Sequence, residues 1–350
     1  MVRSRSIVQN SRVRVAVDAM GGDYAPEEVV KGAVLAAKKN GVEIILVGST
    51  SILEKELARY RFTNNGSSIH IVEASEVIRE DEPPIDAVRH KPNCSVAVAA
   101  KMVKSGEADA LVSAGSSAAA AVSAIQFMGM LDGVGRPAIV GSLGSFAPNT
   151  VMVDLGANVA CNPHQFLTFA IAGSVYAKKF LNITDPKIAL LNTGSEENKG
   201  SETGREAYFI LKNSGLNFVG NIEGNEILNG KANVIVCGGL VGNVVLKFYE
   251  SIGGYARDWA AQKLKKYPPL GGLVRLLFNR LFPAAKISNE SEKRGGGILW
   301  GVDGVVRIAH GASRASNIAN AIESAKEAVK AEVIEGLKLE LAKFDQGGKP

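Results

Sequence analysis

The sequence predicts an α/β fold, a mostly parallel sheet sandwiched between helices in three layers. Three observations carry this. Short β-branched runs alternate with longer helical patterns through most of the 350 residues. Strand segments such as Ile44-Ile45-Leu46-Val47 are apolar without alternation, as expected when both faces of a sheet are covered. Strands also run repeatedly into small Gly-rich turns, and the 38 glycines form no low-complexity run.

Taken in order, strands are predicted over 13–18, 43–47, 68–72, 110–113, 138–140, 151–154, 187–191, 234–237 and 305–309. Helices are predicted over 27–40, 51–61, 95–105, 118–128, 163–180, 202–214, 243–265 and 314–337. Pro26 followed by Glu27 and Glu28 is a strong helix start, because proline fits the first turn and acids favour its positive end. Breaks at Tyr267-Pro268-Pro269 and Gly295-Gly296-Gly297 bracket an amphipathic helical insertion at about 263–290. The expected organisation is a basic tail over 1–12, one α/β domain over 13–337, and a second tail over 338–350.

Composition narrows the class. Apolar residues make up 46% and charged residues 21%, ordinary for a globular protein. A net charge of +5 with only 6% aromatics does not describe a nucleic-acid binder, and suits an acidic protein or an anionic surface. Three dispersed cysteines, Cys94, Cys161 and Cys237, point to a reducing compartment. The first residues lack the apolar run of a signal peptide, and no 18-residue apolar stretch occurs, so a cytoplasmic location is expected.

The chemistry-bearing segments are loops at strand ends: 18–23, 113–117, 154–158, 192–195, 237–243 and 310–313. Ligands of open α/β sheets bind beyond the carboxyl ends of strands, where backbone amides hold anions. Any one of these loops is explained by a tight turn alone; six together point to an anion site. Signatures of nucleotide, dinucleotide, zinc-protease and serine-hydrolase sites are missing from the sequence. The four histidines lack metal-ligand spacing; His70 reads as structural, and His310, at a strand end, as better placed for function.

The segment Val15-Ala16-Val17-Asp18-Ala19-Met20-Gly21-Gly22-Asp23-Tyr24-Ala25-Pro26 resembles the opening motif of the PlsX family, the phosphate acyltransferases of bacterial phospholipid synthesis. Ala74-Ser75-Glu76-Val77-Ile78, Asp154-Leu155-Gly156-Ala157-Asn158, Lys199-Gly200-Ser201-Glu202 and Val241-Gly242-Asn243-Val244-Val245-Leu246-Lys247 match in order. The ending from Gly301-Val302-Asp303-Gly304 to His310-Gly311-Ala312-Ser313 also fits, so the resemblance covers about 13–329. It implies transfer of a fatty acyl group from acyl carrier protein to inorganic phosphate. It also implies a fold like the isocitrate and isopropylmalate dehydrogenases, with two intertwined subdomains, and a homodimer. The sequence departs from the family pattern at Ser116-Ser117-Ala118, where the family has Asn-Thr-Gly. It departs also at Gly238, where the family has Asp, and at Ala160, where Asp is frequent.

That reaction asks little of a protein. Phosphate, with a second pKa of about 6–7, is already a dianionic nucleophile, and a thiol of pKa about 8.5 leaves readily as thiolate. Positioning and oxyanion stabilisation remain, and neither a metal nor a cofactor is implied. Gly115, Ser116 and Ser117, with Gly21, Gly22 and Asn158, are the expected phosphate ligands. Lys199 would supply a point charge, Asn243 an amide donor, and His310 a donor to the carbonyl oxygen or sulfur. Asp18 and Asp154 would repel phosphate; they read either as orienting Lys199, Asn158 or backbone amides, or as turn caps.

In the insertion, Leu277 and Phe278 belong to an apolar face interrupted by Arg275 and Arg280, with Lys265 and Lys266 on its flank. A membrane surface, an acidic carrier protein and a dimer interface all fit it. A membrane acyltransferase that consumes acyl phosphate is a further partner. Rival readings are a phosphotransacetylase acting on coenzyme A thioesters, a non-catalytic scaffold and, by fold analogy alone, a dehydrogenase.

Overall fold

The structure, a computed structural model, describes residues 12–39, 41–60, 68–79, 82–144, 147–264 and 296–347. The first elements in chain order are β1 (Val13–Asp18), α1 (Glu27–Ala37), β2 (Val42–Gly48), α2 (Thr50–Leu57) and β3 (Ile69–Glu73). They are followed by α3 (Pro84–His90), α4 (Ser95–Ser105), β4 (Ala110–Ser113) and α5 (Ser117–Ser123), which a π-turn continues over Ala124–Met128. Next come β5 (Ala138–Ser142), β6 (Val151–Val153), α6 (Pro163–Phe180), β7 (Ile188–Leu191), α7 (Glu202–Lys212) and β8 (Phe218–Ile222). The last are β9 (Val234–Val236), α8 (Gly239–Leu264), β10 (Gly297–Trp300), β11 (Val305–Ile308), α9 (Ala315–Lys330) and α10 (Val333–Gly347).

The chain divides into two compact units, each made of discontinuous segments. The first comprises Met1–Met128 with Gly304–Glu332. Its strands lie in the order β3-β2-β1-β4-β11, all parallel. Parallel neighbours require crossovers, and right-handed crossovers set their faces. The run β1-α1-β2-α2-β3 moves one way; the return through α4 to β4 places its helices on the other face. α9 packs beside α1, and Gly32 permits it, because a Cβ there would lie 2.5 Å from Ile318 Cβ. β1 and β4 are buried almost throughout, which is why these strands read as apolar without alternation.

The second unit comprises Gly129–Asp303 with Val333–Pro350. Its order is β10-β5-β6-β9-β7-β8; β5 is antiparallel to both β10 and β6, and the other pairings are parallel. α6 begins with a reciprocal cap, Asn162 Oδ1 accepting from Gln165 N and Gln165 Oε1 from Asn162 N. It lies tightly on the sheet at Gly173, where a Cβ would meet Val234 Cγ1 at 2.3 Å. Met152, Leu155, Ile222 and Ile235 form a core against which Val245 and Leu246 of α8 pack.

The fold is thus the expected mixed, mostly parallel α/β architecture, with local corrections. The helix expected over 314–337 is two helices, separated at Ala331-Glu332, where Glu332 has a φ of +51°. The tail expected from 338 is helical to Gly347, held by burial of Leu337 and Leu341 and by Lys178 of α6 bonding Glu340 at 3.2 Å. The basic tail, apart from Arg12, lies outside the described residues. So does the insertion beyond Leu264, with Lys265, Lys266, Arg275, Leu277, Phe278 and Arg280. Among the described residues, no helix is long and apolar enough to cross a membrane.

Candidate active site

In the first unit the strand order reverses between β1, which leads on to β2, and β4 on its other side. A crevice forms at such a switch point, beyond the carboxyl ends of the two strands. A cavity of about 630 Å³ lies there. Its polar lining includes Asp18 from the end of β1, Ser113 from the end of β4, Ser95 from the start of α4, and Ser116. Val77, Ile78, Val96 and Met20 supply apolar wall, and Arg79 is the basic residue in the lining.

Asp18, only 3% exposed, anchors the floor. Its Oδ1 accepts from Ser95 Oγ at 2.5 Å and Met20 N at 3.3 Å; its Oδ2 accepts from Ser113 Oγ at 2.7 Å. Burial pushes its carboxyl up from the ordinary range, against the opposing pull of these donors. Gly21 and Gly115 touch backbone to backbone: a Cβ on Gly21 would lie 2.4 Å from Asp18 Oδ2 and 3.0 Å from Gly115 Cα. Gly22, at φ +112°, faces the Ala114 and Gly311 carbonyls, and Asp23 N donates to Gly311 O at 3.0 Å.

The structure therefore gathers Asp18, Gly21, Gly22, Gly115 and Ser116 around one cavity. Gly115 N–H, expected to face an anion, instead donates to Ser113 Oγ at 3.1 Å. Ser116 caps α5 by accepting from Ala119 N at 3.4 Å, and Ser117 opens that helix. His310 is exposed beside the lining residue Gly311, its Nδ1 facing Ala312 N at 3.4 Å. Ser95 and Ser113 escaped assignment from sequence. For Ser113 the available signal was a serine two residues before the glycine of the loop after β4, where its hydroxyl can bond the chain locally; Ser95, at a helix start, carried none.

In the second unit the remaining candidates sit at the carboxyl ends of β6, β7 and β9. Asp154, fully buried, accepts five N–H groups: Ile139 N, Gly156 N and Ala157 N on Oδ1, and Asn158 N and Nδ2 on Oδ2, all at 2.8–3.1 Å. It orients Asn158 and backbone amides rather than Lys199. Both amide hydrogens of Asn158 are engaged, one by Asp154 and one by Pro137 O at 2.8 Å. The expectation that Asn158 binds phosphate gives way to a bracing role.

α8 starts against this loop. A Cβ on Gly242 would lie 1.8 Å from Asp154 O, and one on Gly239 2.6 Å from Asp154 Oδ2. Asn243, exposed in the first turns of α8, lies against Gly156. Lys199 follows β7 on a loop tied down by Asn192 Nδ2 donating to Lys199 O at 3.1 Å and Asn221 Nδ2 to Glu196 O at 2.8 Å. Its ammonium is half-exposed, 3.9 Å from Glu196 Oε1. Burial pushes the Cys94, Cys161 and Cys237 thiols up, away from thiolate chemistry.

Comparison with known proteins decides the family. The profile of a family described as fatty acid synthesis protein matches residues 13–336. A phosphate acyltransferase of Pelotomaculum thermopropionicum is 42% identical over 336 residues, covering 96% of this chain and 97% of that protein. The chain belongs to the phosphate acyltransferase family. Another member, from Thermosynechococcus vestitus, is 41% identical over 334 residues, covering 94% and 95% of the two chains. Membership makes this protein a transferase of the acyltransferase kind. Among solved structures, a Streptococcus pyogenes phosphotransacetylase superposes with a TM-score of 0.61 at 19% identity, covering 93% of this chain and 94% of that one. The EutD phosphotransacetylase of Staphylococcus aureus gives 0.58 at 16% identity, covering 91% and 94%. At these identities the likeness is one of fold.

Proposed function

We propose that the protein transfers a fatty acyl group from the thioester of acyl carrier protein to inorganic phosphate, and that the acyl phosphate serves phospholipid synthesis. The observation that carries this reading is the cavity at the β1–β4 switch point, where two glycine loops touch over hydroxyl-bearing side chains. A phosphate oxygen attacks the thioester carbonyl, forming the C–O bond. The tetrahedral oxyanion collapses with cleavage of the C–S bond, and the thiolate takes up the proton that phosphate releases. No general base is needed, which agrees with the shielding of Asp18 and Asp154 behind N–H and O–H donors.

Ser116 and Ser117 are the proposed hydroxyl and amide donors to phosphate, with Gly21, Gly22 and Gly115 permitting the close approach. Lys199 and Asn243 serve the same reaction as cation and amide donor, and His310 as donor to the carbonyl oxygen or sulfur. The protein works as a cytoplasmic homodimer with peripheral membrane contact. The exposed apolar residues of α8, Val244, Phe248, Ile252 and Tyr255, support a covering second copy.

The test is turnover of palmitoyl carrier protein with and without phosphate, following free thiol and trapping acyl phosphate with hydroxylamine. Phosphate-dependent hydroxamate is expected; its absence from a folded preparation across several chain lengths would overturn the reading. Palmitoyl coenzyme A, run in parallel, is expected to be the poorer donor.

A further inference from the structure

We infer that Ser113 is a positioning residue for the phosphate-binding loop, and that it acts by joining the Gly115 amide to the Asp18 carboxylate. The inference rests on the reading of the cavity as the phosphate site.

A serine hydroxyl has one proton and two lone pairs. Here the direction of each bond is fixed by its neighbours. Gly115 N–H can only donate, so Ser113 Oγ accepts from it at 3.1 Å. The hydroxyl in turn gives its single proton to Asp18 Oδ2, at 2.7 Å. Ser113 is 1% exposed, so its own hydroxyl is buried at the floor of the cavity. Ser95 makes the matching bond to Oδ1 from the start of α4, away from the loop that follows β4. The two serines thus hold the same carboxylate, and only Ser113 passes that anchorage to the chain that follows β4.

The loop has little room to settle elsewhere. Gly21 and Gly115 are in contact, and Asp18 Oδ2 fills the space where a Gly21 Cβ would stand. With its N–H turned to Ser113, Gly115 is a fixed hinge and not itself a ligand. The next residue, Ser116, lines the cavity. Its oxygen is occupied by Ala119 N–H, which leaves its hydroxyl proton for an anion. Loss of the Ser113 hydroxyl would leave the Gly115 N–H and a buried carboxylate oxygen each short of a bond, and would release the loop that carries Ser116.

The experiment compares Ser113→Ala, Ser113→Cys and Ser95→Ala with the wild type, measuring kcat and the KM for phosphate. Phosphate-dependent thermal stabilisation is read against chloride at matched ionic strength. Ser113→Ala is expected to raise the phosphate KM about tenfold, with kcat less affected, and to weaken thermal stabilisation by phosphate in parallel. Ser113→Cys, with a weaker donor, should fall between, and it carries the test where the alanine variant does not fold. Ser95→Ala should lower the melting temperature while moving the phosphate KM less than about threefold. A phosphate KM within twofold of wild type in a folded Ser113 variant would overturn the inference. So would an equal rise in Ser95→Ala, since both would then be matters of stability alone. If the wild type makes no acyl phosphate, the functional reading fails by itself; the thermal measurement still reports on phosphate binding and on Ser113.

Discussion

At the scale of single residues, glycines decide where chain can approach chain, and two glycines at the start of α8, one just before it and one in its first turn, differ sharply in this. Gly242 meets the Asp154 carbonyl so closely that any Cβ would overlap it. Gly242→Ala is therefore expected to cost about 3 kcal/mol or more, or to abolish soluble expression. Gly238 has only Cys161 Sγ near its Cβ direction, at 3.9 Å, and its carbonyl accepts the first helical bond, from Gly242 N at 2.9 Å. That is an N-cap position, where aspartate is favoured over glycine by a few tenths of a kcal/mol. Gly238→Asp is expected to keep or slightly raise the melting temperature. A fall of several degrees would show that the nearby Asp154 carboxylate repels it. Lys199 makes a different kind of prediction. With a half-exposed ammonium and one distant acid, it contributes little to stability. Lys199→Ala should leave the melting temperature unchanged and raise the phosphate KM about tenfold; full activity with unchanged phosphate dependence would remove Lys199 from the site.

At the scale of elements, what was legible in the sequence was what periodicity and composition encode. β1, β4, α4 and α6 stand at their expected bounds, since each combines a strong apolar pattern with a clear start or stop. β8 was missed because Gly220 and Asn221 are poor strand formers, and pairing with β7 overrides them. β10 was hidden behind a glycine run, and α3 is a single short stretch behind two prolines. The cavity's loops were legible as motifs, but its floor was not. That Ser95 reaches Asp18 across 77 positions is a consequence of parallel pairing and not of local pattern. The division between α9 and α10 was equally invisible, since no glycine or proline marks it. A left-handed conformation costs an ordinary residue about 1–2 kcal/mol, and glycine's extra chain entropy offsets part of the relief. Glu332→Gly should thus stabilise by about 0.5–1 kcal/mol, read as a rise in denaturant midpoint. On α8, Phe248 is 66% exposed and Tyr255 74%, whereas Val245 and Leu246 pack on the core. On the proposed homodimer, Phe248→Asp should leave secondary structure intact and shift the mass read by light scattering from dimer to monomer; a mass unchanged from wild type would remove this face of α8 from the interface.

At the scale of the whole molecule, the order of segments has a consequence for folding. The first unit is interrupted: its last strand, β11, and the helix α9 arrive only after the second unit's long segment has been made. Until then β4 has an unpaired edge, and the face of α1 that receives α9 is bare. Ala33, Val29 and Gly32 lie on α1, all buried in the finished structure. Ile318, Ala319 and Ile322 of α9 are buried as well. An open parallel edge beside an uncovered apolar face invites association with other chains. A fragment ending at Met128 should accordingly bind a hydrophobic dye, show broad denaturant transitions and aggregate at micromolar concentration. Adding the segment Gly304–Glu332 in trans should restore a cooperative transition, because it supplies both missing elements at once. Cooperative unfolding of the fragment alone, with no dye binding, would show that β1 to β4 and their helices are self-sufficient. The completion of the unit would then matter for its site, through His310 and Gly311 at the end of β11, more than for its stability.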